Sequence, residues 1–134
     1  MKRIVTAPKP EEAPRPQWEE YEALARRALE FFATYQEEFR DVLTAQVRAL
    51  TFGSMEYSGW GFFLSFELPT DVPVLQASGP ISGRAYPPDK PDDVLRDIGI
   101  VLFIKDGRVD LLEAHGLLEW PEDITGYMPA KERG

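Results

Sequence analysis

The sequence predicts an α+β fold: an antiparallel sheet of four to five strands with an N-terminal helical segment packed on one face. Three observations carry that expectation. Apolar residues recur at three- and four-residue intervals over residues 17–50, the period of an amphipathic helix. Trp60, Phe62, Leu64, Phe66 and Leu68 alternate with other residues, the period of a half-buried strand. Apolar runs at 98–105 and 108–113 flank Asp106-Gly107. An Asp-Gly pair in that setting signals a two-residue hairpin, because a type I′ turn needs positive φ at both central residues.

Residues 1–16 contain Pro8, Pro10, Pro14 and Pro16 among charged residues. That composition disfavours both helix and central strand and predicts an extended lead-in. A single domain over 17–128 follows, with a frayed tail at 129–134. Within 17–50, one unbroken helix would be about 50 Å long, more than a domain of this size spans. Thr34 and Glu37 match a capping box, so two helices are expected, about 17–33 and 35–46. Residues 46–52 are expected to lead into a first strand and 53–59 to turn. Residues 69–97 hold Pro69, Pro73, Pro80, Pro87, Pro88 and Pro91. Short extended pieces at 72–77 and 81–86 are expected there as edge strands, where proline is tolerated.

Counting straight back from the Asp106-Gly107 turn assigns the hairpin's faces. One face pairs Ile104 with Val109, Leu102 with Leu111 and Ile100 with Glu113, and is the core side. The other pairs Lys105 with Arg108, Phe103 with Asp110 and Val101 with Leu112. With Phe63 this second face carries a surplus of apolar side chains: Phe63, Val101, Phe103 and Leu112. Each is worth about 1.5–3 kcal/mol when fully buried, so a cover is expected. Three covers are open: the first helix, residues 117–120, or another chain.

Composition removes several functions. The chain of 134 residues has no cysteine, which excludes a disulfide scaffold, a thiolate metal site and a cysteine nucleophile. The net charge is −8, and residues 51–134 hold 7 Lys/Arg against 14 Asp/Glu. Without a basic stripe, neither nucleic acid nor an anionic membrane surface is an expected partner. No apolar run reaches the roughly 20 residues that span a bilayer, and a cytoplasmic protein is expected. Asparagine is absent and Arg outnumbers Lys, which fits either heat adaptation or the codon usage of a GC-rich genome.

Candidate chemistry is sparse. His115 is the single histidine, with Glu113 two residues before it and Glu119 four after. Glu113 and His115 share a strand face, so an acid–base pair is geometrically open. A metal needs three or four ligands, and the sequence offers no catalytic residue, cofactor site or metal site beyond this trio. Asp89, Asp92, Asp93 and Asp97 lack the ligand order and mid-loop glycine of a calcium loop. The serines spell no nucleophile elbow, and the glycines at 53, 59 and 61 no phosphate loop.

Gly99, the five apolar residues 100–104, Lys105-Asp106-Gly107 and Leu112-Glu113 form the pattern Gly-(apolar)5-Lys-Asp-Gly-x-(apolar)-x-x-Leu-Glu. Over residues 35–115 the chain resembles a loose group of small bacterial proteins of unassigned activity. Some proteins of this type look like toxin-immunity partners, so the resemblance implies binding rather than catalysis and carries over no functional residue. The reading is a non-enzymatic interaction module, self-associating or binding a protein partner and needing no cofactor. The alternative is a small-ligand-binding or hydrolytic protein with a cavity between helix and sheet, Glu113 and His115 standing at its mouth.

Overall fold

A computed structural model describes residues 15–35, 37–76, 79–88, 96–117, 120–121 and 123–130. Helix α1 spans Arg15–Tyr35, a 3₁₀ turn Glu37–Phe39 and helix α2 Arg40–Ala49. Six strands follow: β1 Thr51–Tyr57, β2 Gly61–Glu67, β3 Ile81–Tyr86, β4 Ile98–Lys105, β5 Arg108–Gly116 and β6 Met128–Ala130. They form one sheet in the order β1-β2-β5-β4-β3-β6, every neighbouring pair antiparallel. The α+β class holds, with six strands rather than four or five. The expected lead-in lies outside the described residues except at its C-terminal end, where α1 has already begun.

Helix α1 buries Tyr21, Leu24, Ala25, Ala28, Leu29 and Phe32, one stripe at helical spacing. The helical break comes near Thr34 as expected, but not through a Thr34 cap. The Thr34 hydroxyl donates to the carbonyls of Glu30 (3.2 Å) and Phe31 (3.1 Å). A threonine inside a helix can bond the preceding turn in this way instead of starting a new helix. Arg40 then donates to the Thr34 carbonyl at 3.3 Å. Helix α2 passes into β1 without a loop, since Leu50 is already extended while its N–H still bonds the Gln46 carbonyl at 2.9 Å.

Two strand expectations change. Residues 53–57 belong to β1 rather than to a turn, because an irregularity between Phe52 and Met55 absorbs Gly53 and Ser54 within the ladder. The chain reverses only at Ser58–Trp60, where the Ser58 N–H bonds the Gly61 carbonyl at 2.9 Å. Strand β3 is not an edge: it pairs with β4 on one side and β6 on the other. Pro129 and Ala130, expected in a frayed tail, belong to β6. Residues 72–76 form no strand; there the Leu75 N–H bonds the Gly107 carbonyl at 2.8 Å.

The hairpin turn has the expected form, with Asp106 at φ 55° and Gly107 at φ 78°. Its register does not run straight back. Lys105 faces Arg108 and Ile104 faces Val109, but then Phe103 faces Leu111, Leu102 faces Leu112, Val101 faces Glu113 and Ile100 faces Ala114. Asp110 is the extra residue of a β-bulge, so every later side chain of β5 changes face. The core face therefore carries Ile98, Ile100, Leu102, Val109, Leu112 and Ala114, all buried. Leu111, Glu113 and His115 point to the opposite side.

Gln46 on α2 joins this core to the hairpin. Its side-chain amide donates to the carbonyls of Pro73 (2.8 Å) and Gly107 (2.9 Å), and its oxygen accepts the Val109 N–H at 2.9 Å. The β2–β5 pairing ends at Ser65 and Leu111, so a glutamine supplies the partner that β2 no longer offers Val109. A fully buried glutamine with three hydrogen bonds satisfies the rule that buried polar groups are paired.

Candidate functional site

Both helices lie on the core face. Tyr21 of α1 stacks on Phe62 with ring centroids 4.8 Å apart, and the Phe32 ring lies 3.1 Å from where a side chain at Gly83 would begin. Arg26 sits over the Phe52 ring at 4.8 Å. Trp120 packs edge-on against Tyr21 and Phe62 on this same side, at 5.8 and 6.0 Å. Two of the three expected covers, the first helix and the 117–120 segment, are thus represented on the core face by α1 and Trp120. Leu118 and Glu119 lie outside the described residues.

The opposite face is built in rows across the strands. Ser65, Leu111 and Phe103 form one row, and Phe63, Glu113, Val101 and Ser82 the next. Then come Gly61, His115, Gly99 and Arg84. Toward the hairpin turn, Lys105 and Arg108 form the opposite border. Phe63, Val101, Phe103 and Leu111 are each half-buried, although their strands hold the middle of the sheet. Of the four expected interface residues, Phe63, Val101 and Phe103 share this face. Leu112 does not: it is 0 % exposed in the core, and the bulge at Asp110 puts Leu111 in its place. Two large exposed side chains, Trp60 (64 %) and Met128 (56 %), stand at the His115 end of the sheet.

His115 and Glu113 do come together. His115 Nδ1 lies 3.9 Å from Glu113 Oε2, with 37 % and 24 % of their side chains exposed. That is ion-pair distance for a protonated ring and too long for a hydrogen bond. The imidazole lies over Gly99, where a Cβ would stand 2.6 Å from Nε2; glycine on the adjoining strand lets the ring lie flat. Both side chains face away from the helices, so they do not stand at the mouth of a cavity between helix and sheet. Among the described residues, no three His, Asp or Glu side chains group as a metal site. Asp89, Asp92 and Asp93 lie outside the described residues, whereas Asp97 is buried, 3.8 Å from Arg84 Nη1.

The remaining candidates are structural. Ser54 and Ser65 bond each other across the β1 irregularity, Oγ to Oγ 3.2 Å. Ser58 accepts the Trp60 N–H at 3.2 Å in the β1–β2 turn. Phe62, Phe66 and Phe32 are core, with Phe31 and Phe39 packed against it. Burial raises the Tyr21 phenol above its ordinary range, partly offset by a hydrogen bond with Trp120. Asp123 is held below the usual carboxylate range by its hydrogen bonds to Thr125, including the Thr125 N–H at 2.9 Å. Among the described residues, no helix is long and apolar enough to cross a membrane. Compared with protein-family models, with curated proteins and with solved structures, the chain finds no match in any of the three.

Proposed function

We propose that this protein is a non-enzymatic interaction module whose working surface is the open face of the sheet, centred on Phe63, Val101, Phe103 and Leu111. One observation carries the reading. Four large apolar side chains occupy neighbouring positions in mid-sheet, while the helices pack on the other side. Apolar side chains gathered on a sheet face away from the packed helices mark a binding surface more often than scattered ones do. The resemblance to small bacterial proteins of immunity-like type leans the same way, toward a protein partner or a second copy. A cytoplasmic setting is part of the same proposal.

Phe103→Glu tests it. The substitution puts a charge at the centre of the patch and leaves the core face untouched. Sedimentation and affinity capture from the native cell extract are compared for wild type and variant, with circular dichroism to check the fold. The variant should lose an assembly that the wild type forms, with itself or with another protein. If a folded variant assembles as the wild type does, the open face is not the working surface. His115→Ala and Glu113→Gln should leave this assembly standing; loss of a ligand or of turnover in either would favour the small-ligand alternative.

A further inference from the structure

We infer that Asp106-Gly107 is a site of covalent modification, the isomerisation of aspartate to isoaspartate, and that residues 69–75 gate it by strapping down the hairpin turn. The inference is independent of the proposed interaction face. This is the chain's single Asp-Gly pair, and asparagine is absent, so the chemistry has one favoured place to occur. Glycine offers a neighbouring side chain the least hindered backbone nitrogen. In the reaction the Gly107 nitrogen attacks the Asp106 side-chain carboxyl carbon. A C–N bond forms, the carboxyl hydroxyl leaves as water with the amide proton, and a five-membered succinimide results. Water then breaks one of its two acyl C–N bonds. Opening at the original main-chain carbonyl leaves the backbone running through Asp106 Cβ and Cγ, which is isoaspartate. Opening at the other restores aspartate, so the water lost in the first step is returned in the second.

The folded turn holds the reacting atoms apart. Asp106, at φ 55°, lies in the left-handed region, where ψ is about +30 to +60°. There the Gly107 nitrogen is roughly anti to Asp106 Cβ across the Cα–C bond, whereas ring closure needs the two nearly eclipsed. Two movements bring them together. The first flips the 106–107 peptide, leaves the Gly107 carbonyl in place and converts the turn to type II′. That sets a positive φ and a strongly negative ψ on Asp106, a combination glycine alone adopts freely. The second movement releases Gly107 itself, and the strap opposes it. The Gly107 carbonyl accepts the Leu75 N–H at 2.8 Å and the Gln46 side-chain amide at 2.9 Å. Gln46 also donates to the Pro73 carbonyl at 2.8 Å, and Arg108 to the carbonyls of Pro69 and Thr70, both at 2.9 Å. Gly107 is buried although Asp106 beside it is exposed. The strap lies so close that a Cβ on Gly107 would stand 2.6 Å from the Leu75 carbonyl oxygen. The reactive geometry therefore requires the strap to lift, a local opening rather than global unfolding.

Isoaspartate at Asp106 is followed in mildly acidic buffer, where the protonated carboxyl is the better electrophile, by enzymatic methylation and peptide mapping. The full-length wild type is compared folded and in urea, beside folded Arg108→Ala, Gln46→Leu and Ile98→Val. The folded wild type should react at least about tenfold more slowly than the same chain in urea. Arg108→Ala and Gln46→Leu should each speed the folded reaction about fivefold, the factor that follows from losing strap hydrogen bonds. Arg108 is only half-buried, so its variant carries the test even where Gln46→Leu fails to fold. Ile98→Val trims the core at the far end of β4 and leaves the strap alone, so its rate should stay within about twofold of wild type. Equal rates for the folded and urea-unfolded wild type overturn the protection. Strap variants that react as slowly as the folded wild type overturn the gate. An Ile98→Val variant that speeds the reaction as much as they do overturns it too, because global unfolding then sets the rate.

Discussion

Leu111 and Leu112 are chemically identical neighbours on the same strand, yet one lies on the open face and the other is sealed in the core. The same contrast repeats across the sheet: Phe62 against Phe63 on β2, and Leu102 against Phe103 on β4. On the core face the side chains are buried in one cluster with those of the helices, and Tyr21, Phe62 and Trp120 interlock as stacked and edge-on rings. On the opposite face equally apolar residues stay half-buried beside a border of charge. Apolar character therefore does not say which side is dry. What stands above the side chain does, and in β5 a single bulged residue decides which side chain stands where.

The most direct way to break this comparison is to shorten the two leucines separately. Leu112→Ala should cost about 2–5 kcal/mol in denaturant unfolding, since it leaves a void in packed surroundings. Measured where the chain is monomeric, Leu111→Ala should cost less than about 1 kcal/mol. Equal losses would mean that the open face is covered within the chain. Gln46→Leu should cost about 1–3 kcal/mol, because the Val109 N–H and two carbonyls lose buried partners. A smaller effect is expected from deleting Asp110. Removing the extra residue brings Leu111 directly after Val109 and keeps Leu112 opposite Leu102, so stability should fall by less than in Leu112→Ala. Amide exchange would show whether the ladder beyond the bulge persists.

The smallest effect is a pH dependence of the core face. The Tyr21 phenol is raised by burial, so the folded state holds that proton more tightly than the unfolded one. Its contribution is fully present below pH 10, the ordinary tyrosine value, and is lost as the pH rises through the raised folded value. Tyr21→Phe should flatten the alkaline part of the stability profile by that difference. An unchanged profile would mean that Tyr21 is not shielded by Phe62 and Trp120.

Much of this is legible in the sequence. The Asp106-Gly107 turn, the alternation of β2 and the buried stripe of α1 are local signals, and each reappears in the structure. Phe63, Val101 and Phe103 were recognisable as a surplus because the period of a strand is two. The side of the sheet that Leu112 takes lies outside local pattern. Val109, Asp110, Leu111 and Leu112 read equally well with or without a bulge, and only packing against Ile100, Leu102 and Leu64 discriminates. The role of Gln46 is not legible locally, because nothing near it in the chain reveals a hydrogen-bond deficit 63 residues away, at Val109. The Thr34 and Glu37 pair matched a cap, but the hydroxyl found acceptors in the preceding turn first.

Periodicity and turn chemistry depend on neighbours in the chain, and they were enough to specify the class of fold, the hairpin and the excess of apolar side chains. Strand order, the placement of β5 between β2 and β4, the bulge that sends Leu112 inward, and the choice of face for the helices are contests between distant residues. They are settled only when the whole set of buried surfaces and hydrogen bonds is satisfied together. Local pattern names the pieces of this protein; the simultaneous packing of both helices on one side of the sheet decides which piece is left facing outward.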